Sequence, residues 1–308
     1  MTLKAFGKKM GIFAFFLSVI LILLNRWMGQ SLAIHYDMQY EEAIHPKINA
    51  PIIIIGSSHA THGINPKYLE DNRFSVYNFA LNGGNPLFYL KWYHRILTRY
   101  YRRPSHVIYA VDWFMFDDHL LQRQFEHDSK YLPLPLLMAE LKESRALKTL
   151  ILNRFSIIRE RKKLPVLLFK KRREQDIYPI RKYYKGFVPY ESKGNLWKTK
   201  EVKVTYSKEQ FGAFEEILDQ FRRDNIKVIF VQIPEYISGR HSAGYLENME
   251  KLDEVARDRN IPFLDYNRGK ISAINYEARY YSDWGHLNEK GSEIFSRLLK
   301  EDLGKILN

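Results

Sequence analysis

The sequence contains no cysteine among its 308 residues. This absence excludes disulfide bonds, thiolate zinc sites and a cysteine nucleophile, and it is compatible with a compartment where free thiols are a liability. Hydrophobic residues make up 45% of the chain and aromatic residues 15%, which is enough for a substantial core. The composition therefore predicts a folded body of the size of an enzyme.

Long apolar runs are scarce as well, and the one that stands out lies near the N-terminus. Met10–Leu24 contains no charged residue and follows Lys4, Lys8 and Lys9. Such a run is short for a free-standing span, but Trp27 can extend it at the membrane interface. We interpret it as an uncleaved anchor and not as a buried helix, because no charged residue interrupts it on any face and Ser18 is its one polar side chain.

The charges around this run predict its orientation. Lysines precede it, whereas the residues after it carry more acidic than basic side chains. By the positive-inside rule, the N-terminus is expected in the cytoplasm and the rest of the chain outside it. We therefore expect an anchor over residues 1–30, a stalk over residues 31–50, a single-pass location in the cell membrane and the lipid bilayer as a partner.

Five short apolar stretches predict a parallel β-sheet. They are rich in β-branched residues without strict alternation, as in strands buried on both faces. Helix-start signals lie between them at Asn65-Pro66 and Ser207, and an amphipathic helix follows Asn288. The pattern predicts an α/β fold of three layers and flavodoxin-like kind. The stretches are Ile52–Ile55, Val76–Phe79, Val107–Val111, Val228–Ile233 and Pro262–Leu264.

The segment 113–225, between the third and fourth predicted strands, is too long for an ordinary connection. We expect it to be a mainly helical insertion within a domain spanning 51–308. Within it, Arg154–Lys203 carries sixteen Lys or Arg against five Asp or Glu, in a chain whose net charge is +13. This cluster would attract an anionic polymer or lipid surface, or it is a solvated basic face. The candidate substrate-binding residues are Lys170, Lys171, Arg172 and Arg173.

The strongest local motif follows the first predicted strand, in the segment IIIIGSSHATHGINP. The strand leads straight into Gly56-Ser57-Ser58-His59 and then into a helix. Active sites of open α/β sheets lie beyond the carboxyl ends of the strands, so Ser58 is placed to be a nucleophile. From this segment alone, a turn with a helix cap is the better interpretation.

A second motif near the C-terminus changes that balance. Asp283 and His286 lie three residues apart on one loop before the final helix. A serine hydroxyl needs an imidazole to take its proton, and the imidazole needs a carboxylate to fix its tautomer. The order of GSS after the first strand and DxxH before the last helix therefore predicts a triad of Ser58, Asp283 and His286.

These two motifs resemble those of the SGNH (GDSL-like) hydrolase superfamily, whose first block contains the serine and whose last block is DxxH. The resemblance spans roughly Ile52–Val111 and Ile226–Leu299 and implies a serine esterase or acyltransferase that needs no cofactor and no metal. The family's second block supplies a glycine amide to the oxyanion hole, and VYNFALNGGNP matches it with Gly83, or with its neighbour Gly84.

The third block departs from the family. The family has an asparagine there that donates to the oxyanion, whereas VIYAVDWFMF offers Asp112. A carboxylate cannot donate, so either Asn82 or Asn85 substitutes, or the amides of Ser58 and Gly83 form the hole alone. The chain is similar to the envelope branch of the superfamily, with the D-alanine transfer protein of teichoic-acid modification and the alginate acetylation proteins.

The resemblance implies an extracytoplasmic O-acyltransferase or esterase that acts on a cell-envelope polysaccharide or teichoic-acid-like polymer through an acyl-serine. A membrane-bound O-acyltransferase is the implied partner and acyl source. The alternative is a catalytically inactive scaffold or glycan-binding protein in an envelope-modification complex, which Asp112 favours and the intact triad argues against. Nucleic-acid binding requires a location that the anchor contradicts.

Two further groups of residues are less informative. His59 and His62 could be a metal pair, but no carboxylate or third histidine is spaced to complete it, so we interpret them as pocket-wall or surface residues. Tyr183, Tyr184 and Tyr190 could stack on sugar rings, although packing within the insertion is the simpler use.

Overall fold

The computed structural model describes residues 3–31, 38–39, 42, 49–71, 75–98, 102–117, 155–159, 161, 182–190, 205–236, 243–268 and 273–307. The chain divides into two compact units. One comprises Met1–Ile34 and Glu126–Glu174, and the other comprises His35–Phe125 and Gln175–Asn308.

The helices of the described residues are α1 (Leu3–Ser31), α2 (Ser58–Gly63), α3 (Pro66–Leu69), α4 (Pro86–Trp92), α5 (Ser156–Arg159), α6 (Lys208–Arg223), α7 (Ala243–Asp258) and α8 (Glu289–Leu307). The strands are β1 (Ile52–Ile55), β2 (Val76–Asn78), β3 (His106–Ala110), β4 (Lys227–Gln232) and β5 (Phe263–Asp265). A π-helical turn, Tyr93–Leu97, continues α4, and two 3₁₀ turns, Ala273–Tyr276 and Ala278–Tyr280, precede α8.

The first unit contains α1, which is long and apolar enough to cross a membrane. The candidate span, Phe6–Gly29, has 24 residues, and its most apolar 18-residue stretch has a mean hydropathy of 2.0 with none of it buried. At about 1.5 Å per residue, such a helix matches a hydrocarbon core about 30 Å thick. A signal sequence has the same properties. Near its end, Asn25 Oδ1 accepts a hydrogen bond of 3.2 Å from the Ile157 amide of α5.

The second unit contains a five-stranded sheet in the order β2-β1-β3-β4-β5, with every neighbouring pair parallel. Each strand matches a predicted apolar stretch with shifts of about one residue at its ends, and the predicted α/β fold is confirmed. Ile53 and Ile54 of β1 are both fully buried. Burying such a side chain contributes about 1.5 to 3 kcal/mol, so a strand covered on both faces is favoured over one exposed to water.

Helices cover both faces of this sheet. On one face, Ile54 and Ile108 belong to a cluster with Phe295 of α8. On the other face, the Phe214 ring of α6 lies 5.4 Å from that of Tyr109 and 5.6 Å from that of Phe230, measured between ring centroids. The sheet is therefore the middle layer of three.

The predicted helix starts are occupied by side-chain caps. Asn65 Oδ1 accepts from the Lys67 amide at 3.0 Å, and Ser207 Oγ accepts from the Gln210 amide at 3.3 Å. Asn288 Oδ1 accepts from Gly291 N at 3.0 Å. Each cap satisfies an amide that has no partner within its helix, and each fixes where a helix begins relative to the sheet.

The predicted insertion is described only in part. Residues 182–190 and 205–225 belong to the second unit, whereas most of Arg154–Lys203 lies outside the described residues. Lys170, Lys171, Arg172 and Arg173 also lie outside them, as does most of the predicted stalk. One described stalk residue, Gln39, donates through Nε2 to the carbonyls of Asn78 and Gly186, both at 3.0 Å.

Candidate active site

The candidate site lies at the carboxyl edge of the sheet, where the chain after β1 meets the chain after β3. β1 has β2 on one side and β3 on the other, so the connections leave it in opposite directions. This switch point is where open α/β sheets leave a crevice for a ligand. Ser58 follows β1, Asp112 follows β3 and Glu235 follows β4.

The nucleophile turn is made by Gly56 and Ser57. Gly56 has a φ of +148°, and a Cβ on it would lie 2.7 Å from the Ala110 carbonyl oxygen, so only glycine fits there. Ser57 caps α2, since its Oγ accepts from His59 N at 3.2 Å. Ser58 is the first residue of α2 and remains partly accessible. The tight turn thus leaves a serine hydroxyl at the edge of the sheet.

The structure brings Ser58, Asp283 and His286 together. His286 Nε2 lies 2.8 Å from Ser58 Oγ, and His286 Nδ1 lies 2.9 Å and 3.0 Å from the two carboxylate oxygens of Asp283. The ionised carboxylate can only accept, so the network assigns a proton to Nδ1 and leaves Nε2 to accept the Ser58 proton. We call Ser58, Asp283 and His286 the outer set.

Electrostatics keep the imidazole of the outer set neutral. Burial lowers the pKa of His286, the nearby His59 lowers it further, and Asp283 opposes both without cancelling them. Burial would raise the pKa of Asp283, but hydrogen bonds and charge attraction from His286 bring it below its ordinary value. The result is a neutral base beside an ionised carboxylate, as general base catalysis requires.

The loop that carries Asp283 and His286 is held by its own backbone. Asp283 Oδ1 accepts from the amides of Gly285 at 3.0 Å and His286 at 2.8 Å. Ser282 N donates to the His286 carbonyl at 2.9 Å, and Ser282 Oγ donates to the Tyr190 carbonyl at 2.6 Å. These bonds orient the carboxylate before any substrate binds.

The three tyrosines of the insertion have different surroundings. The Tyr190 ring stacks on the His286 imidazole, with centroids 4.4 Å apart and planes at 25°. Tyr183 donates to Glu42 at 2.6 Å, and Tyr184 donates to Glu70 at 2.9 Å. Tyr190 is therefore a wall of the candidate site, while the other two stabilise the packing of the second unit.

Apart from the Ser58 amide, the predicted oxyanion donors lie on the turn after β2. This turn is tied to the nucleophile turn, because Leu81 N donates to the Gly56 carbonyl at 3.1 Å. Among the described residues, the amides of Ser58 and Gly83 have no hydrogen-bond acceptor, whereas the amide of Gly84 donates to the Leu81 carbonyl at 2.7 Å. Gly83 is thus the better candidate of the two glycines.

The two asparagines proposed as substitutes differ in their use. Asn85 is buried and caps α4, with its Oδ1 accepting from Phe88 N at 2.9 Å. Asn82 is exposed, and its side chain lies near enough to His62 to raise the pKa of that ring. The His62 ring lies 5.9 Å from that of His286, so Asn82 is next to a side chain that borders the triad.

Behind the outer set lies a second group, Ser57, His59, Asp112 and Glu235, which we call the inner set. Asp112 Oδ2 accepts a short hydrogen bond from Ser57 Oγ. Asp112 Oδ1 lies 2.9 Å from His59 Nδ1, and Glu235 Oε1 lies 3.7 Å from the same nitrogen. The Asp112 contact is close but does not have the geometry of a hydrogen bond.

The inner set is a buried concentration of charge. Burial alone would lower the pKa of His59, but Asp112 and then Glu235 raise it to about 9. Burial raises the pKa of Glu235 to about 7, and the nearby His59 opposes that rise. One ring nitrogen of His59 and one carboxylate oxygen each from Asp112 and Glu235 lie within 4.8 Å of one another, and this spacing would also suit the binding of a divalent cation. We assign an ion pair, because two carboxylates approach His59 Nδ1 and raise the pKa of the ring.

Sequence reasoning missed the inner set. Of the two interpretations given to His59 and His62, the surface one is wrong, since each is only 4% exposed. Both rings lie beside His286, as the pocket-wall interpretation expects. The two carboxylates come from the ends of β3 and β4, far from His59 in sequence, so local spacing could not reveal them. Two signals were available: an acidic residue where the family has asparagine, and Glu235 just past the end of a buried strand.

No family model matches the sequence, and no curated protein matches it. Solved structures that align with the chain include a protein from Bacteroides fragilis assigned as an acylhydrolase, at 14% identity over 89% of this chain and 96% of that chain, with a TM-score of 0.43. A protein from Streptococcus pneumonia assigned as a platelet activating factor has 12% identity, coverages of 93% and 99%, and a TM-score of 0.47. A GDSL-like lipase from Bacteroides thetaiotaomicron has 12% identity, coverages of 88% and 98%, and a TM-score of 0.42. None of these likenesses bears on the chemistry of the site.

Proposed function

We propose that the chain is a serine esterase or O-acyltransferase that forms an acyl intermediate on Ser58. One observation carries the proposal: the His286 imidazole contacts Ser58 Oγ with one nitrogen at 2.8 Å and Asp283 with the other at 2.9 Å. A neutral imidazole of fixed tautomer is what a serine hydroxyl needs to become a nucleophile.

The reaction has two halves with one imidazole serving both. In the first, Ser58 Oγ attacks the ester carbonyl while its proton passes to His286 Nε2, and collapse of the tetrahedral adduct returns that proton to the departing alcohol. In the second, His286 takes a proton from an acceptor hydroxyl or from water, which attacks the acyl-serine. As the bond from the acyl carbon to Ser58 Oγ breaks, His286 Nε2 returns the proton to Ser58. The amides of Ser58 and Gly83 are the proposed donors to the oxyanion in both halves.

The proposed setting is the cell envelope. Support comes from α1, which is long enough to cross a membrane, and from Lys4, Lys8 and Lys9, which precede the uncharged run Met10–Leu24. An anchored enzyme outside the cytoplasm meets envelope polysaccharide or teichoic-acid-like polymer, with a membrane-bound O-acyltransferase as acyl donor. A periplasm-active reporter fused after Asn308 should be active, and activity of a cytoplasmic reporter alone would rule out this setting.

The basic segment Arg154–Lys203 is proposed to concentrate an anionic polymer or lipid surface near the enzyme. Its support is the excess of sixteen basic over five acidic residues. Neutralising Lys170, Lys171, Arg172 and Arg173 together should weaken binding to anionic vesicles, and added salt should weaken it likewise. Binding that is unchanged in both experiments would leave a solvated basic face.

The central experiment is labelling of the full chain, in membranes, with a fluorophosphonate probe. An activated Ser58 should react, and the Ser58→Ala variant should stay unlabelled. Folded wild-type protein that does not react would favour the scaffold alternative, which the carboxylate of Asp112 motivates. Supplying p-nitrophenyl acetate with and without an oligosaccharide then separates the two activities, because a transferase acetylates the sugar and an esterase releases acetate.

A further inference from the structure

Within the inner set, Asp112 contacts the residues on both sides of the proposed nucleophile. Asp112 Oδ2 accepts from Ser57 Oγ, and Asp112 Oδ1 lies 2.9 Å from His59 Nδ1. Ser57 and His59 are the two chain neighbours of Ser58. Asp112 is only 3% exposed, so water hardly competes for these contacts. A single carboxylate from the end of β3 therefore fixes the nucleophile turn.

His59 also reaches the other half of the site. Its ring meets that of His286 edge to face, with centroids 4.9 Å apart and planes at 89°. A Cβ on Gly285 would lie 2.8 Å from His59 Nε2, so the loop between Asp283 and His286 closes directly on this ring. His59 is thus packed between the turn that carries the serine and the loop that carries the base.

We propose that Asp112 and His59 form a positioning unit: the carboxylate holds the nucleophile turn, and the imidazolium places a positive charge against His286. The inference rests on the proposed function, because the charge matters only if His286 acts as a base. The geometry supports the charge, since two carboxylate oxygens lie 2.9 Å and 3.7 Å from one ring nitrogen. Opposite charges at such distances favour the protonated imidazole.

A cation beside His286 disfavours a second proton on that ring. The titratable and charged groups that face His286 are Asp283 on its own loop, Asp112 after β3, His59 and His62 of α2, and Tyr190 of segment 182–190. The carboxylates favour protonation of His286. His62 is uncharged at neutral pH, because burial lowers its pKa to about 4. Among the described residues His59 is therefore the cation that keeps His286 unprotonated, and the base stays available in mildly acidic conditions.

The test is the pH dependence of fluorophosphonate labelling at Ser58, measured as a rate on the full chain in detergent. The His59→Gln variant removes the charge and keeps a polar side chain, so the acid limb of the profile should move to higher pH by about one unit. His62→Gln is the matched control: it changes an equally buried histidine of the same helix that carries no charge, and its limb should not move. Asp112→Asn weakens the protonation of His59 and also removes a carboxylate that favours protonation of His286, so the two effects oppose each other. The limb should therefore shift less than in His59→Gln, while labelling slows because the nucleophile turn is no longer held.

A second measurement does not depend on any variant being active. In the wild type with ¹³C-labelled histidine, the His59 Cε1 signal should report a protonated ring at pH 7, with assignments taken from the two glutamine variants. A neutral His59, or a slower rate in His59→Gln with an unmoved acid limb, would overturn the inference. A stoichiometric divalent metal in the wild type that is lost in His59→Gln would overturn it too, since the imidazole would then be a neutral ligand. Wild-type protein with unlabelled Ser58 but protonated His59 would reject the proposed function and leave the charge assignment standing.

Discussion

The outer and inner sets use the same residue types, and their imidazoles hold opposite protonation states. The His286 side chain of the outer set is 20% exposed and neutral, with its two nitrogens aligned on Ser58 and Asp283. The His59 side chain of the inner set is 3% exposed and carries a charge between Asp112 and Glu235. Burial alone would predict the reverse, because it disfavours the charged form more strongly in the inner set.

The difference arises from how the carboxylates are shared. Asp283 Oδ1 accepts from two backbone amides besides the imidazole, so part of its charge is compensated before it acts on His286. His59 Nδ1 has two carboxylates within 4 Å. The other oxygen of Asp112 accepts a hydrogen bond only from the neutral hydroxyl of Ser57, which compensates little of its charge. Two properties therefore decide which histidine serves as a base and which as a cation: how many carboxylates lie beside the ring, and how many other donors each carboxylate already accepts from.

The largest expected effect is the loss of ester turnover when a residue of the outer set is replaced. Ser58→Ala and His286→Ala should each lower ester turnover about 10,000-fold or more, with the double variant hardly worse, because triad members act as a unit. Ser57→Ala is the matched control, since it removes the adjacent hydroxyl that belongs to the inner set. If Ser57→Ala abolished labelling and Ser58→Ala did not, the roles of the two sets would be exchanged.

A second contrast concerns stability. Asp112→Ala strips a buried cation and a buried hydroxyl of their partner, and breaking such a pair costs about 3 to 5 kcal/mol. Asp283→Ala removes a partly exposed carboxylate with hydrogen bonds worth about 1 to 2 kcal/mol. Thermal unfolding of both variants in one detergent should rank Asp112→Ala as the less stable. Equal midpoints would mean that the Asp112–His59 pair contributes no more to stability than the Asp283–His286 pair.

The sequence indicates the outer set and conceals the inner one for a physical reason. Ser58 and the pair Asp283 and His286 lie in two short motifs, each next to a recognisable strand or helix, and their chemistry needs few other residues. The inner set depends on the register of β1, β3 and β4, which brings Asp112 and Glu235 to one ring. The five strands themselves were predictable, because burial on both faces leaves an apolar signature in each.

The two sets should also limit stability on opposite sides of neutral pH. The folded pKa of His59, about 9, and that of Glu235, about 7, exceed their ordinary values of 6.5 and 4.5, so the stability they contribute is lost as pH rises through those folded values. Asp283 and His286 have lowered pKa values, so their contributions are lost as pH falls. The free energy of unfolding of the double variant His59→Gln/Glu235→Gln, taken from thermal unfolding, should fall less between about pH 7 and 10 than that of the wild type, by roughly 2 kcal/mol.

The control for that experiment is His62→Gln. The folded pKa of His62, about 4, lies below its ordinary 6.5, so its contribution is lost in acid. This variant should leave the alkaline side of the curve unchanged. An alkaline decline of the same size in the wild type and in the double variant would mean that His59 is not held as a cation.

The smallest effect tests the contact that joins the two sets. The φ of Gly285 is not in the left-handed region, so its backbone tolerates alanine, and only the His59 ring, 2.8 Å from the new Cβ, opposes the change. Gly285→Ala should destabilise the protein by about 1 kcal/mol or more, whereas Gly212→Ala, in open space on α6, should stabilise it by about 0.5 to 1 kcal/mol. In a double-variant cycle, the cost of Gly285→Ala should shrink when His59 is also replaced by alanine, because the obstructing ring is gone. If Gly285→Ala costs the same in both backgrounds, a group other than the His59 ring obstructs the new Cβ. The loop that carries Asp283 and His286 would then not pack directly on the charged ring proposed to lower the pKa of His286.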